Sequence, residues 1–308
     1  MTPEAPEAAE REIQRRRAAW HGHVAMFAFA LLVAGSFSLG ALIANDIRPS
    51  VLIFLRFALG ACIMALAIVV TQGRAALRLR APWRFLLLGA IFASYFLAMF
   101  EALKTSGPVS LAAVFTLTPL MTALLSLPIL GQRTNAQVWA ALLIGAAGAI
   151  WVIFRGDLVA LMAFELGRGE LLFLGGSFLH ALYVPLLRRM NRGEGALTST
   201  FGVLVGGALV LLAYALPDLR AMHWAALPAR VWWVLLYLMI FATTTTFSLV
   251  QFAAMRLPSS KVMAYTYLTP SWVILWELAL GHGVPHLAVL GGVGLTLLAL
   301  AMLLGRDR

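Results

Sequence analysis

Residues 114–123 read VFTLTPLMTA and residues 264–273 read AYTYLTPSWV. Each stretch puts Leu-Thr-Pro inside a long apolar run, as Leu117-Thr118-Pro119 and Leu268-Thr269-Pro270, with the two prolines 151 residues apart. Proline inside a helix removes one backbone hydrogen bond and clashes with the carbonyl four residues back. Pro119 would therefore release the carbonyl of Phe115, and Pro270 that of Thr266. In lipid, a released carbonyl costs several kcal/mol unless it is packed within protein or lines a wet cavity. Two matched breaks point to a shared cavity between two related halves.

The surrounding chain supports a membrane setting. Of its 308 residues, 62% are hydrophobic and only 12% charged, against about 25% charged in a soluble domain. A helix crosses the hydrocarbon core in roughly 20 residues. Ten apolar runs of about that length appear, at 24–44, 50–70, 83–103, 107–130, 135–154, 168–187, 197–216, 230–254, 258–280 and 285–304. The fold expected is all-α, an integral membrane protein of ten transmembrane helices, preceded by a cytoplasmic N-terminal tail over 1–23. Lys and Arg collect on the cytoplasmic side of membrane proteins. With the N-terminus inside, sixteen of the 23 basic residues fall inside, six outside and Arg56 within a span. That split fits an even number of spans with both termini cytoplasmic. The net charge of +10 is thus read as topology. No basic stretch interleaved with aromatics lies in a soluble segment, so no nucleic-acid partner is expected. The single cysteine, Cys62, sits in an apolar run and reads as a buried thiol.

Further pairs recur in the same order. Gly35-Ser36-Phe37 returns as Gly176-Ser177-Phe178, Leu130-Gly131 as Leu280-Gly281, and Gly145-x-x-Gly148 as Gly291-x-x-Gly294. This indicates a five-helix duplication, with halves at 24–154 and 168–304. Because five is odd, the second copy must cross the bilayer upside down. Inverted repeats with broken helices near the midplane are a signature of secondary transporters.

These features resemble the drug/metabolite transporter superfamily, and within it the ten-helix EamA-type members. The stretch ALKTSGPVSLAAVFTLTPLMTALLSLPILGQRTNAQVWAALLIGAAGAIWVI (102–153) carries the resemblance best, and 254–303 repeats it less clearly. The acid common after Leu-Gly in that family is Gln132 in the first half and His282 in the second, and the Trp common before Gly-Ser is Ala34. The resemblance implies a bacterial inner-membrane exporter of small metabolites, and amino acid exporters, aromatic ones included, fit its pattern best. It also implies that Lys261 could hold a substrate carboxylate, with Ser110 as the position matching it in the first half.

Ionisable groups within a bilayer are costly, which makes each a functional candidate. Arg56, Glu101, Lys261 and Glu277 are the candidate gate or charge sites, with Arg56 expected to meet one of the acids in an outer gate. The alternative for Glu101 is an i,i+3 pair with Lys104. Tyr95, Met99, Ser110, His180, Thr246, Gln251, Tyr265 and Tyr267 are the candidate substrate contacts, around a cavity lined by the third, fourth, eighth and ninth spans. An apolar hollow with a few polar handles suits a small amphipathic ligand. The run Thr243-Thr244-Thr245-Thr246 could offer neutral hydrogen bonds to a zwitterion or bond its own backbone. Trp232 and Trp233 read as membrane-belt residues. Gly202-x-x-x-Gly206 reads as helix packing or an interface.

Enzyme signatures are missing: there is no G-x-x-x-x-G-K-[ST], no H-E-x-x-H and no G-x-S-x-G elbow. No catalytic residue, metal or cofactor is expected. The reading is a secondary transporter working by alternating access, with a small molecule, an amino acid foremost, and the lipid bilayer as its partners. The alternatives are a multidrug or other metabolite exporter, or an enzyme acting on lipid-linked substrates.

Overall fold

The computed structural model describes residues 4–163, 165–254, 256–257, 259–283 and 285–305. They form fourteen α-helices and no strand. These are α1 (Glu4–Ile43), α2 (Pro49–Gln72), α3 (Trp83–Ala102), α4 (Pro108–Phe115), α5 (Thr118–Leu130), α6 (Ala136–Ile153) and α7 (Leu158–Met162). After them come α8 (Arg168–Met190), α9 (Ala196–Ala221), α10 (Ala229–Met239), α11 (Thr246–Ala254), α12 (Ser259–Ala264), α13 (Thr269–Ala279) and α14 (Leu287–Leu304).

Among the described residues, nine helical runs are long and apolar enough to cross a membrane. The segment 259–279 also has the length of a span, but it is cut into α12, a 3-10 turn over Tyr265–Leu268 and α13. The first helix is longer than its apolar run, since residues 4–23 continue it.

Both Leu-Thr-Pro sites end one helix and begin another. Thr118 opens α5 and Thr269 opens α13, each with its proline in the new first turn. A proline there has no intrahelical N–H bond to lose and its φ is already helical. Before each break, a threonine hydroxyl donates back to a carbonyl: Thr116 to Ala113 at 2.7 Å and Thr266 to Met263 at 2.8 Å.

The second half is inverted. Arg48 and Ser50, at the start of α2, both bond Asp218 near the end of α9. At the opposite face, Thr198 near the start of α9 donates to the carbonyl of Ala76, just past the end of α2. Likewise Trp151 near the end of α6 donates to Ala288 at the start of α14, at 2.8 Å. Equivalent helices therefore run antiparallel. Their packing is symmetric too: α2 lies on α9 and α6 on α14, while α3 on α8 matches α11 on α1. The start of the first span and the end of α14 lie at one face, because Ala25, Leu257 and Leu304 share a cluster there; we call this the terminal face and the other the far face.

Glycines allow the closest seams. A Cβ on Gly148 would come within 2.6 Å of the Gly292 carbonyl, and one on Gly292 within 2.6 Å of the Gly148 carbonyl. Gly202 and Gly206 both abut Phe85 of α3, so this Gly-x-x-x-Gly packs within the chain. Cys62, expected to be buried, is exposed: it lies on the outer side of α2, which turns Arg56 and Phe57 inward.

Candidate functional site

A cavity of about 210 Å³ lies inside the bundle. Its walls come from α1 (Met26, Phe29, Val33, Ser36, Phe37), α3 (Phe92, Tyr95, Phe96, Met99), α8 (His180, Val184) and the eighth span (Ala242, Thr246, Val250). Arg56 of α2, Phe115 at the end of α4, and Val262, Met263 and Thr266 around the second break complete it. Phe115 and Thr266 are the two residues whose carbonyls the prolines release, so both breaks abut one hollow. The floor is aromatic. Tyr95 lies 4.8 Å from His180 between ring centroids, and Phe115 meets His180 edge-on at 5.3 Å. Phe92 packs on Phe96 at 5.0 Å.

Arg56 is the unusual wall residue, only 2% exposed. Its Nε donates to Thr243 Oγ1 at 3.0 Å and its Nη2 to the Ala242 carbonyl at 3.1 Å. Its guanidinium lies over the Phe96 ring, 4.0 Å from the centroid. Nη1 is buried without an acceptor among the described residues. A guanidinium keeps its proton in proteins, and desolvating an ion costs several kcal/mol when its partners do not compensate. The local backbone is shaped to it. Residues Ile240–Thr245 form a π-helical turn, a device often found at functional sites. Thr243, Thr244 and Thr245 each donate to the carbonyl five residues back, at 2.8, 3.0 and 2.9 Å.

These contacts correct several expectations. The threonine run is a backbone device, and of its four members only Thr246 lines the cavity. Among the described residues Arg56 meets no acid: Glu101 pairs with Lys104 at 2.7 Å and Glu277 with His282 at 2.7 Å. Both acids thus take local partners at the far face rather than forming a gate with Arg56. Ser110 lies outside the cavity, donating to Glu170 at 2.9 Å beside the 2.6 Å bond from Ser106. Tyr265 points toward α1, bonding His23 at 2.8 Å. Tyr267 is fully buried against Gly145, where no Cβ intervenes. Tyr95, Met99, His180 and Thr246 do line the hollow. Lys261 is buried one residue before the lining Val262. The side chain of Gln251 lies outside the described residues.

The contributions of α1 and of Val184 escaped sequence reasoning. The recurrent Gly-Ser-Phe was a signal for α1, since Ser36 and Phe37 line the cavity. Nothing comparable marked Met26 or Phe29.

A second cavity, about 240 Å³, reaches the terminal face at Gln132, Arg133 and Arg188. Val184 and Met263 line both hollows and so separate them. Pro119 lines this second one. A depression of about 1100 Å³ opens at the far face around Arg155, Asp157, Glu170 and His286. It is a surface vestibule and does not include the central aromatic residues. At the depth of the central cavity α1 is held to its neighbours: Trp276 donates to the Leu31 carbonyl at 3.1 Å and Tyr237 to the Leu32 carbonyl at 2.9 Å. At the far face, Arg230 bonds both oxygens of Asp46 and holds that carboxyl below its ordinary range.

The model of the EamA-like transporter family matches this chain twice, over 20–154 and 167–305. An "Uncharacterized transporter YyaM" from Bacillus subtilis (strain 168) is 24% identical over 274 residues, covering 88% of this chain and 90% of that protein. A solved crystal structure superposes with a TM-score of 0.69 at 21% identity, covering 95% of this chain and 99% of that one. At that identity the likeness is one of fold.

Proposed function

The chain belongs to the EamA-like transporter family, and from that premise we propose that it exports small amphipathic metabolites, amino acids among them, across the bacterial inner membrane. The terminal face is the cytoplasmic one. Cargo enters through the hollow at Gln132 and Arg133, passes Val184 and Met263, and rests in the central cavity. Release needs a path to open from the central cavity to the far face while the inner passage closes, as in alternating access.

One observation carries this reading: residues from both proline breaks, Phe115 and Thr266, meet in a single aromatic hollow at the centre of two inverted halves. Helix breaks survive in lipid where they line such a space. At about 210 Å³ the hollow lies below the 300–1,000 Å³ usual for drug-sized ligands, which favours a small cargo.

The test is flux. Purified protein in liposomes, given labelled L-phenylalanine and other labelled amino acids with and without a pH gradient, is expected to move at least one. Thr246→Ala and His180→Ala should each cut that flux while leaving the fold intact. Flux unchanged in both would remove the cavity from the transport path. Turnover of a lipid-linked substrate without flux would favour the enzymatic alternative.

A further inference from the structure

Resting on that reading of the central cavity, we infer that the cavity selects its cargo by a carboxylate, which Arg56 binds, and that the cargo's amine is dispensable. Two observations carry it. Arg56 brings a fixed positive charge to the wall of the hollow, and its buried Nη1 has no acceptor among the described residues. None of the described lining residues is Asp or Glu. The site thus has a permanent cation and nothing of opposite charge to balance it.

The arrangement around Arg56 orients the guanidinium without neutralising it. Thr243 and the Ala242 carbonyl engage Nε and Nη2, and the Phe96 ring covers one face. Those partners are neutral, so the charge persists and remains to be met. A planar guanidinium matches a carboxylate better than any other anion of this size except phosphate. Phosphate esters are strongly hydrated and have little use for Phe92, Tyr95, Phe96 and Phe115. An aromatic or branched monocarboxylate uses both parts of the site at once.

An ammonium has no anionic partner among the described residues of the wall. The polar groups there are Ser36, Tyr95, His180, Thr246 and Thr266, which offer it lone pairs but no carboxylate. A cation placed beside Arg56 would also be repelled. The order expected is therefore 3-phenylpropionate at least as tight as phenylalanine, and both far tighter than phenethylamine. These three molecules share one ring and differ in which charges they carry.

Binding of the three is measured on the full-length protein in detergent, by calorimetry or by competition. We expect phenethylamine to bind at least about 10-fold more weakly than 3-phenylpropionate, the scale of a charged hydrogen bond. Arg56→Gln should weaken 3-phenylpropionate by about 10- to 100-fold and flatten the ranking. Arg56→Lys should retain part of both. Phenethylamine binding as tightly as 3-phenylpropionate would overturn the inference in the wild-type protein, even if Arg56→Gln does not fold. Unchanged affinity in a folded Arg56→Gln would overturn it as well. If amino acid flux still depends on Thr246 and His180 while the carboxylate ranking is absent, the transport reading stands and this inference alone fails.

Discussion

Arg84 shows what a partnered buried cation looks like here. It is 2% exposed and bonds Glu194 at 2.5 Å, the Arg80 carbonyl at 2.6 Å and the Met190 carbonyl. Burial acts to raise the Glu194 carboxyl, but the Arg84 side chain and the Arg192 backbone N–H outweigh it and hold the group below its ordinary value. A depressed carboxyl stabilises the fold above the unfolded value, about 4.3 for Glu, and that contribution drains away as pH falls through the lower folded value. Thermal unfolding scans should show wild-type protein losing stability on acidification from pH 6 to 3 that Glu194→Gln, already destabilised at pH 6, does not lose. At this scale much was legible in sequence: an arginine inside a span had to be buried for a reason. Its partners were not, because a π turn places Ala242 and Thr243 where an acid was expected. Tyr265 and Tyr267 mislead for a related reason. The 3-10 turn sets consecutive residues about 120° apart around the axis, against about 100° in an α-helix, so α-helical spacing misplaces both side chains.

At the scale of elements, the two proline breaks and the π turn interrupt three spans next to the same space. Each break is compensated locally, by Thr116, by Thr266, or by the three hydroxyls over 243–245. Thr243→Val should therefore cost about 1–3 kcal/mol in denaturant unfolding, since Arg56 Nε and the π turn both lose a partner. Pro270→Ala should do the reverse: it permits a continuous helix, so melting temperature holds or rises while flux in liposomes falls. A drop in stability with flux retained would show that the break is mere packing. The prolines were legible because their chemistry is local. The π turn was not, since four threonines are equally compatible with an α-helix that bonds four residues back. The ninth span was readable as apolar length, whereas its division into α12, the 3-10 turn and α13 depends on how the neighbours pack.

At the scale of the molecule, the inverted duplication was legible from the order of four short motifs. The pairing of Gly148 with Gly292 was not, because a correspondence between repeats, Gly148 with Gly294, does not say which residues touch. The antiparallel crossing of α6 and α14 decides that. Gly148→Ala should destabilise by about 1–3 kcal/mol, the cost of overpacking a close seam. Val184→Phe, at the partition between the two hollows, should slow flux by about 10-fold or more, since it obstructs the passage that both hollows share. The reciprocal contact of Gly148 and Gly292 has a kinematic consequence. Exchanging the two halves maps the α6–α14 pair onto itself, whereas it converts the α3–α8 contact into the α1–α11 contact. A motion that turns one facing of a carrier into its mirror counterpart must therefore remodel the latter pair and can leave the former untouched. A covalent clip across α6 and α14 should accordingly leave flux in liposomes unchanged.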